Sequence, residues 1–308
     1  MAYFPSYRNV GVSVVPDFIY ESVDIAYYAF ASINKDYTVD LQEPYVLQTL
    51  VQRAHSMGKK VVLSFNGDSS TYTAMTGSAK TREKFIKSLM LIMNQFNLDG
   101  IDNDWEFPSA ANGSALGNLY LMRELSNVLH APGENKLLTM AVTPGKYAGA
   151  YRDAIVRDLY DCVDWFCVMT YDDFSTSVPG IHHSPVSLVE TAYDYYIKQK
   201  SLPPSKFITG IPCYGRPSGM SQSGRVLTYA TILSKGGSPD EDTAEITATT
   251  GEKYTIYYNG RKTVEEKVEF CVEHGLGGYF FWEQGQDSYD ERSLLLCASN
   301  KYHYLCKQ

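Results

Sequence analysis

Residues 98–108 read LDGIDNDWEFP and bring four carboxylates, Asp99, Asp102, Asp104 and Glu106, into eight consecutive positions. Side chains of a strand alternate between its two faces, so Asp102, Asp104 and Glu106 share one face, with neighbouring α-carbons about 6.6 Å apart. Carboxylates at this spacing do not all ionise easily, and we expect the row to retain a proton near neutral pH. A carboxyl group that keeps its proton can act as a general acid. The stretch therefore predicts acid–base chemistry, with Glu106 at the end of the row.

The other face of the same strand carries Ile101, Asn103 and Trp105. A solvated acidic loop or a calcium loop would also collect carboxylates. Calcium loops, however, use glycine and flexible oxygen donors within a turn rather than alternating apolar residues. The alternation favours a buried strand, and we expect Trp105 to pack outward against a helix.

Eight short apolar runs rich in β-branched and aromatic residues recur along the chain, and segments of helical periodicity separate most of them. This alternation is typical of a parallel sheet, and runs buried on both faces favour a closed (β/α)₈ TIM barrel. Barrel active sites lie at the carboxyl ends of the strands, which places Glu106 at the mouth. The runs are residues 2–5, 25–31, 60–65, 98–105, 138–142, 163–171, 207–214 and 277–282.

The domain organisation follows from length and spacing. We expect residues 1–308 to form a single catalytic barrel domain. The longest interval between runs, 215–276, is partly polar and rich in Gly and Ser. It predicts an extended loop or small insertion plus the final helix, and it is too short for a full α+β insertion domain. A shallow, open groove should follow.

Composition excludes several classes of protein. The net charge is −8 and the sequence contains no run rich in Lys and Arg, which argues against nucleic-acid binding and favours a neutral partner. No stretch reaches the roughly 18 to 20 apolar residues of a membrane span. No signal-peptide pattern is visible at the start of the sequence.

The six cysteines form no CxxC pair and no Cys/His cluster at zinc-ligand spacing, so we expect neither a structural zinc nor another metal. Cys162, Cys167 and Cys213 lie in apolar runs and should behave as small core residues. Cys297 and Cys306 could form a disulfide, but their spacing does not decide it.

Two adjacent histidines, His182 and His183, fall in a polar stretch without a nearby Ser or Cys motif, and we expect them in a solvated loop. The sequence contains no GxSxG, P-loop or GxGxxG motif. We expect no cofactor.

LDGIDNDWEFP resembles the DGxDxDWE signature of glycoside hydrolase family 18, the chitinase family. Several ordered matches at barrel spacing are more specific than one motif. The further segments that are similar to the family's strands are AYFPSY (first), YYAFA (second), VVLSFNG (third), FCVMTYDDF (sixth), ITGIPCYGR (seventh) and GLGGYFFWEQGQD (eighth).

The resemblance implies retaining, substrate-assisted catalysis through an oxazolinium intermediate, an exception to the two-carboxylate scheme of most glycosidases. Glu106 would be the general acid and then the base, and the nucleophile would be the sugar's own acetamido oxygen. Asp104 would orient the acetamido N–H, and Asp102 would share its proton. Tyr171 would donate its hydroxyl to the acetamido carbonyl. No metal or cofactor is implied.

The resemblance also implies substrate-binding residues. Trp282 would form an indole floor beneath the sugar, since a flat apolar face suits a pyranose ring. Met169 and Asp172 would shape the same pocket, although Met169 could equally be barrel core. Further wall positions are Tyr3, Phe30 and Tyr214, of which Phe30 could also be core.

Two residues depart from the family pattern. Asn103 stands where the family usually has an aliphatic residue, so its buried amide requires a hydrogen-bond partner. Asn66 replaces the first glycine of the family's SxGG segment, which can alter the loop after the third strand.

The resulting expectation is a hydrolase of β-1,4-linked N-acetylglucosamine polymers or oligomers, a chitinase, that acts as a monomer. Because chitin is extracellular, we expect the protein to be exported to an extracellular, cell-surface or periplasmic location. The alternatives are an endo-β-N-acetylglucosaminidase, a peptidoglycan-lytic enzyme and a non-hydrolytic chitinase-like lectin. Lectins of this kind usually lack the terminal glutamate, which is present as Glu106. Trp105 and Trp282 favour chitin over the other two substrates.

Overall fold

Eight parallel strands close into a barrel in the computed structural model, which describes residues 1–8 and 14–307. Each strand pairs with its neighbours in chain order, and the pairing of Ala2 with Phe281 joins the first strand to the last. The expected TIM barrel is therefore confirmed. Its strands are β1 (Ala2–Pro5), β2 (Ile25–Ile33), β3 (Lys60–Asn66), β4 (Gly100–Asn103), β5 (Leu137–Val142), β6 (Trp165–Val168), β7 (Phe207–Pro212) and β8 (Gly278–Trp282).

Helices surround the barrel and alternate with its strands. The strand Val39–Asp40 adds an antiparallel edge to β2, and a π-helical turn, Asp194–Gln199, extends one of the helices. The α-helices are Asp17–Glu21, Pro44–Ser56, Ser69–Thr76, Ala79–Phe96, Ser114–Leu129, Ala150–Asp153, Val186–Tyr193, Tyr229–Ser234, Arg261–Glu273 and Leu294–Leu305, and short 3₁₀ turns are Ser6–Arg8, Arg157–Asp161, Pro204–Lys206 and Gln284–Gln286.

The alternation predicted for the acidic strand is present. Ile101 packs in the apolar layer between barrel and helices, whereas Asp102 is buried inside the barrel. Trp105 is 1% exposed, and its ring stacks on that of Tyr72 at a centroid distance of 4.6 Å. Trp105 therefore packs outward, as expected.

The buried amide of Asn103 has the partners that the sequence required. Its Oδ1 accepts the hydroxyl of Tyr72 at 3.1 Å, and its Nδ2 donates to Oδ1 of Asn118 at 2.9 Å. A polar residue is accommodated at this strand–helix interface because two helices supply matching polar groups.

The interval between β7 and β8 is more ordered than a loop. Four antiparallel strands form a small sheet, and the helix Tyr229–Ser234 accompanies it. Ile246, Tyr254 and Ile256 are buried on this sheet, so alternating apolar residues give the insertion a core of its own. The strands are Tyr214–Pro217, Leu227–Thr228, Thr243–Thr247 and Lys253–Tyr257.

All six cysteines are free thiols, so the possible Cys297–Cys306 disulfide is not formed. Cys162, Cys167 and Cys213 are buried, as expected for small core residues. Within residues 1–8 and 14–307, none of the helices combines the length and apolarity needed to cross a bilayer, and no group of side chains has the composition of a metal site.

Candidate active site

A cavity of about 480 Å³ lies at the carboxyl ends of the barrel strands. Two of the ten predicted site residues, Asp102 and Tyr214, lie behind its wall and contact residues that line it. The fold therefore brings the acidic row and the predicted aromatic residues together at this cavity. The eight predicted residues that line the cavity are Tyr3, Phe30, Asp104, Glu106, Met169, Tyr171, Asp172 and Trp282.

Asp102 is completely buried, and three hydroxyl groups donate to its carboxylate. Tyr3 and Ser64 donate to Oδ2 at 2.9 and 2.7 Å, and Thr139 donates to Oδ1 at 2.5 Å. Burial raises the pKa of Asp102, while these three donors oppose the rise. Among the described residues, no hydrogen bond joins Asp102 to Asp104. The expected sharing of a proton between Asp102 and Asp104 therefore does not take place through a direct hydrogen bond, because three hydroxyl groups already donate to the Asp102 carboxylate.

Asp104 is 5% exposed and only half satisfied. Its Oδ2 accepts the side-chain amide of Asn66 at 3.0 Å, whereas its buried Oδ1 has no partner in the described part of the chain. Burial, the nearby Glu106 and Asp102 raise the pKa of Asp104 well above its usual range. A buried polar atom without a partner is costly, so this oxygen is suited to a donor supplied by a ligand.

Glu106, the last carboxylate of the row, lies at the mouth of the barrel, where its side chain is accessible from the cavity. Its carboxyl group forms no hydrogen bond with a described residue. The surrounding protein nevertheless removes much of the carboxyl group's hydration and raises its pKa, and the negative charge of Asp172 adds to this rise. Glu106 therefore has the accessibility and the proton affinity of a general acid.

Asp172 is held as an anion beside Glu106. Its carboxylate accepts the hydroxyl of Tyr214 at 2.6 Å and the Nε of Arg216 at 2.6 Å. Burial alone would raise the pKa of Asp172, but contacts with His183, Arg216 and Tyr214 outweigh burial and hold this pKa well below its usual range. The backbone of Asp172 is left-handed, with φ 62°, and its N–H donates to Nδ1 of His183 at 3.3 Å.

Tyr171 presents a free hydroxyl to the cavity. Its ring contacts Phe280 edge-on, with centroids 6.1 Å apart, and its hydroxyl bonds to no described residue. Burial raises the pKa of this hydroxyl well above its usual range, so the group remains a donor. Gly210 permits the arrangement, because a Cβ at that position would lie 2.8 Å from the Tyr171 ring.

The apolar wall is built around Trp282 at the end of β8. Phe30 stacks on its indole with centroids 5.6 Å apart and an interplanar angle of 26°, and Tyr3 meets it edge-on at 5.4 Å. Met169 lines the same cavity. Phe30 and Met169 are thus wall residues as well as partners of the interior barrel core. The peptide bonds Ala29–Phe30, Glu106–Phe107 and Trp282–Glu283 are cis.

Sequence reasoning missed several residues of the site. The prediction that His182 and His183 lie in a solvated loop is wrong. His183 is 1% exposed and contacts the carbonyl oxygen of Tyr214 through Nε2, and Nε2 of His182 contacts the carbonyl oxygen of Tyr258 at 2.8 Å. Arg216, two residues after Tyr214, carried a signal that could have been used, since a carboxylate beside Tyr171 at the cavity is expected to pair with a cation.

The rim of the cavity was also not predicted. Tyr147 and Asp173 line it, and the Tyr147 hydroxyl donates to Oδ1 of Asp173 at 2.6 Å. Lys146 donates to the other oxygen of the same carboxylate. These contacts tie the loop after β5 to the loop after β6. Phe107 and Phe280 add to the apolar lining.

Residues 1–287 match the sequence pattern of the glycosyl hydrolases family 18, and the chain belongs to that family. It is 26% identical to Endochitinase 1 of Metarhizium robertsii over 83% of this chain and 68% of that protein. It is 27% identical to a probable endochitinase of Caenorhabditis elegans over 83% of this chain but only 43% of that protein. The chain thus spans between less than half and about two thirds of these curated relatives.

Solved structures share the barrel. A family GH18 chitinase from Cycas revoluta in complex with (GlcNAc)₃ has a TM-score of 0.82 and 22% identity, with 98% of each chain covered. A chitinase-like agglutinin from Robinia pseudoacacia has a TM-score of 0.81 and 21% identity, again with 98% of each chain covered. At this level of identity the likeness establishes the fold, which is present in a protein named as a chitinase and in one named as an agglutinin.

Proposed function

We propose that the chain hydrolyses β-1,4-linked N-acetylglucosamine polymers or oligomers, as a chitinase, with retention of configuration. The single observation that carries the proposal is the set of unpaired polar groups facing one cavity: Oδ1 of Asp104, the carboxyl of Glu106 and the hydroxyl of Tyr171. An acetamido group offers one N–H donor and one carbonyl acceptor, which matches an acceptor on Asp104 and a donor on Tyr171. The endochitinase names of the relatives support the same substrate.

In the first step the raised pKa of Glu106 keeps the proton that the leaving group needs. Glu106 donates this proton to the glycosidic oxygen as the bond from that oxygen to C1 breaks. The acetamido oxygen of the same sugar forms a bond to C1 and closes an oxazolinium ring. Asp104 accepts the acetamido N–H and stabilises the positive charge, and the Tyr171 hydroxyl orients the acetamido carbonyl toward C1.

In the second step the Glu106 carboxylate removes a proton from water, which attacks C1 and opens the ring. Two inversions at C1 give net retention. The Asp172 anion raises the proton affinity of Glu106, so the acid is restored for the next turnover. The indole of Trp282 supports the sugar at the point of cleavage.

The test is hydrolysis of fluorogenic chitobiose and chitotriose glycosides by the wild-type protein and by Glu106→Gln. We expect the variant to lose about 10³-fold in kcat while it still binds chitooligosaccharide. Glu134→Gln, at an exposed turn outside the cavity, is the matched control and should retain full activity. Equal or absent turnover in the wild type and Glu106→Gln would contradict the proposal.

The agglutinin among the similar structures makes a carbohydrate-binding lectin the second candidate. Binding of chitooligosaccharide without turnover during long incubation would support it. Mass spectrometry of parallel digests of chitin, a high-mannose glycoprotein and peptidoglycan distinguishes the chitinase from the other two hydrolases. We further infer one catalytic domain over residues 1–308, with the insertion as part of it, that acts as a monomer on an extracellular substrate.

A further inference from the structure

Lys267 is a fully buried lysine that does not line the cavity. It lies in the helix Arg261–Glu273, and its side chain is 0% exposed. Its Nζ donates to the carbonyl oxygen of Ser184 at 2.9 Å, to Oγ of Ser184 at 2.7 Å and to Oδ1 of Asn259 at 2.7 Å. Three acceptors use all three N–H groups of an ammonium. Burial lowers the pKa of Lys267 to about 7, and the charge of Asp242 opposes this fall. The direct contacts of its Nζ are the three neutral oxygens.

Ser184 connects this ammonium to the segment that carries the predicted catalytic hydroxyl. Its Oγ donates to the carbonyl oxygen of Thr170 at 2.7 Å, and the Thr170 hydroxyl donates to the carbonyl oxygen of Gly210 at 2.7 Å. Thr170 directly precedes Tyr171. A continuous chain of short hydrogen bonds therefore runs from Lys267 to the backbone beside Tyr171, and all the groups in it are buried.

The neighbouring contacts fix the other side of the same segment. His183, next to Ser184, accepts the N–H of Asp172 at Nδ1, and its carbonyl oxygen accepts the N–H of Asp173 at 2.9 Å. Residues 183–184 thus hold the backbone both before and after Tyr171. The left-handed backbone of Asp172 requires such support, because an L-residue rarely adopts this conformation without it.

Lys267 also connects the small insertion to Ser184, through Asn259. Asn259, which follows the last strand of the insertion, donates from Nδ2 to the carbonyl oxygen of Ser184 at 2.8 Å. Lys267, Ser184 and Asn259 thereby form a closed ring of hydrogen bonds. The first strand of the insertion carries Tyr214 and Arg216, which hold Asp172.

We propose that Lys267 is a positioning residue for the reaction: acting through Ser184, it fixes the segment Thr170–Asp172 and hence the Tyr171 hydroxyl relative to the cavity. This inference rests on the function proposed above. An interaction that matters for geometry in the transition state changes kcat rather than uniform binding. A small displacement of a positioned group can reduce the rate by about 10- to 100-fold.

The experiment is a double-mutant cycle of Lys267→Met and Ser184→Ala on a fluorogenic chitotriose glycoside. Each single variant should lower kcat about 10-fold and leave KM within about twofold. The double variant should lose no more than the worse single variant, because both remove the same connection. The proposal would be overturned if the loss of kcat in the double variant were the product of the two single losses. An unchanged kcat in Ser184→Ala would also overturn it. Should Lys267→Met not fold, Ser184→Ala keeps the proposal falsifiable, because it leaves the two other acceptors of Lys267 in place and an unchanged kcat in it rejects the connection through Ser184.

Lys206→Met is the matched control. Its Nζ also donates to backbone carbonyl oxygens, of Tyr160 at 2.6 Å and Val163 at 2.7 Å, but at the amino end of β6, away from the cavity. This variant should keep its kcat and should show no coupling to Ser184→Ala. Coupling of the same size there would mean that loss of any lysine contact to a backbone carbonyl disturbs the site, and would also overturn the proposal.

Amide hydrogen exchange separates this inference from the proposed function. Lys267→Met and Ser184→Ala should speed exchange at the amides of Tyr171 and Asp172 relative to the wild type, whereas Lys206→Met should not. A wild-type protein without hydrolysis would reject the proposed function, and unchanged exchange at these two amides in both variants would reject the positioning role. Each result stands without the other.

Discussion

The side-chain amide of Asn66 donates to Oδ2 of Asp104 at 3.0 Å, so the residue that departs from the family's glycine contacts the central carboxylate of the acidic row. The oxygen of this side-chain amide, Oδ1 of Asn66, accepts the N–H of Gly67. Asn66 is thereby fixed by its own loop. The departure supplies a donor to Asp104 and leaves only Oδ1 for a ligand.

Asn66→Ala should lower kcat about 10-fold, because Asp104 would lose the donor that fixes its orientation. Loss of this donor also raises the pKa of Asp104, because Asn66 favours its ionised form. Steady-state kinetics on a chitotriose glycoside measures the effect. Asn94→Ala, on an exposed helix position, should behave as the wild type. Unaltered kinetics in Asn66→Ala would exclude the contact from catalysis.

Asp172→Asn should move the alkaline limb of the kcat/KM profile to lower pH. The Asp172 anion raises the pKa of Glu106, so a neutral amide lets Glu106 lose its proton at lower pH and the general acid is depleted earlier. A full pH profile of the variant measures this. Asp158→Asn, whose carboxylate pairs with Arg123 outside the cavity, should leave the limb in place. A limb that stays put or moves upward in Asp172→Asn would refute this account.

Asn103→Leu should destabilise the fold by about 1 to 3 kcal/mol, because it leaves Oδ1 of Asn118 buried without its donor. Activity of the folded fraction should change little, since Asn103 faces the helices. Urea unfolding measures the loss. Replacing both Asn103 and Asn118 by Leu should recover part of it, because the orphaned group is then removed as well. A double variant that is less stable than the single one would contradict this reasoning.

Trp282→Ala should raise KM for chitotriose glycosides about 10-fold or more, because the stacked face offered to the sugar is lost and Phe30 loses its partner. Kinetics and oligosaccharide titration measure the change. Tyr304→Ala, an exposed aromatic on the last helix, is the control and should bind normally. If both variants bind equally well, the indole is a packing residue only.

The local pattern of the acidic strand was sufficient to predict which face each residue occupies. Asp102 points inward and Asn103 outward because the alternation of a strand depends on nothing beyond the strand itself. The eight apolar runs likewise predicted the barrel, and the first run matches the observed strand Ala2–Pro5 at both ends. The family and its glycosidase class are confirmed by the match over residues 1–287.

The partners of these residues could not be predicted, because they come from distant parts of the chain. Tyr3 lies 99 positions from Asp102, and Thr139 lies 37 positions from it. His183 lies in a polar stretch of the sequence, which indicated a solvated loop. Tertiary contacts with Asp172 and Tyr214 nevertheless bury it. The insertion strand Thr243–Thr247 buries only Ile246 completely, so its alternation gave too weak a signal for a sheet.

The hydrogen bond from Tyr3 to Asp102 joins the first barrel strand to the fourth, and β1 is held in turn by its pairing with β8. The set of hydrogen bonds around Asp102 is therefore complete only when β1 has taken its place in the barrel. Recovery of hydrolysis on refolding would then report closure of the barrel, and not only the formation of its secondary structure.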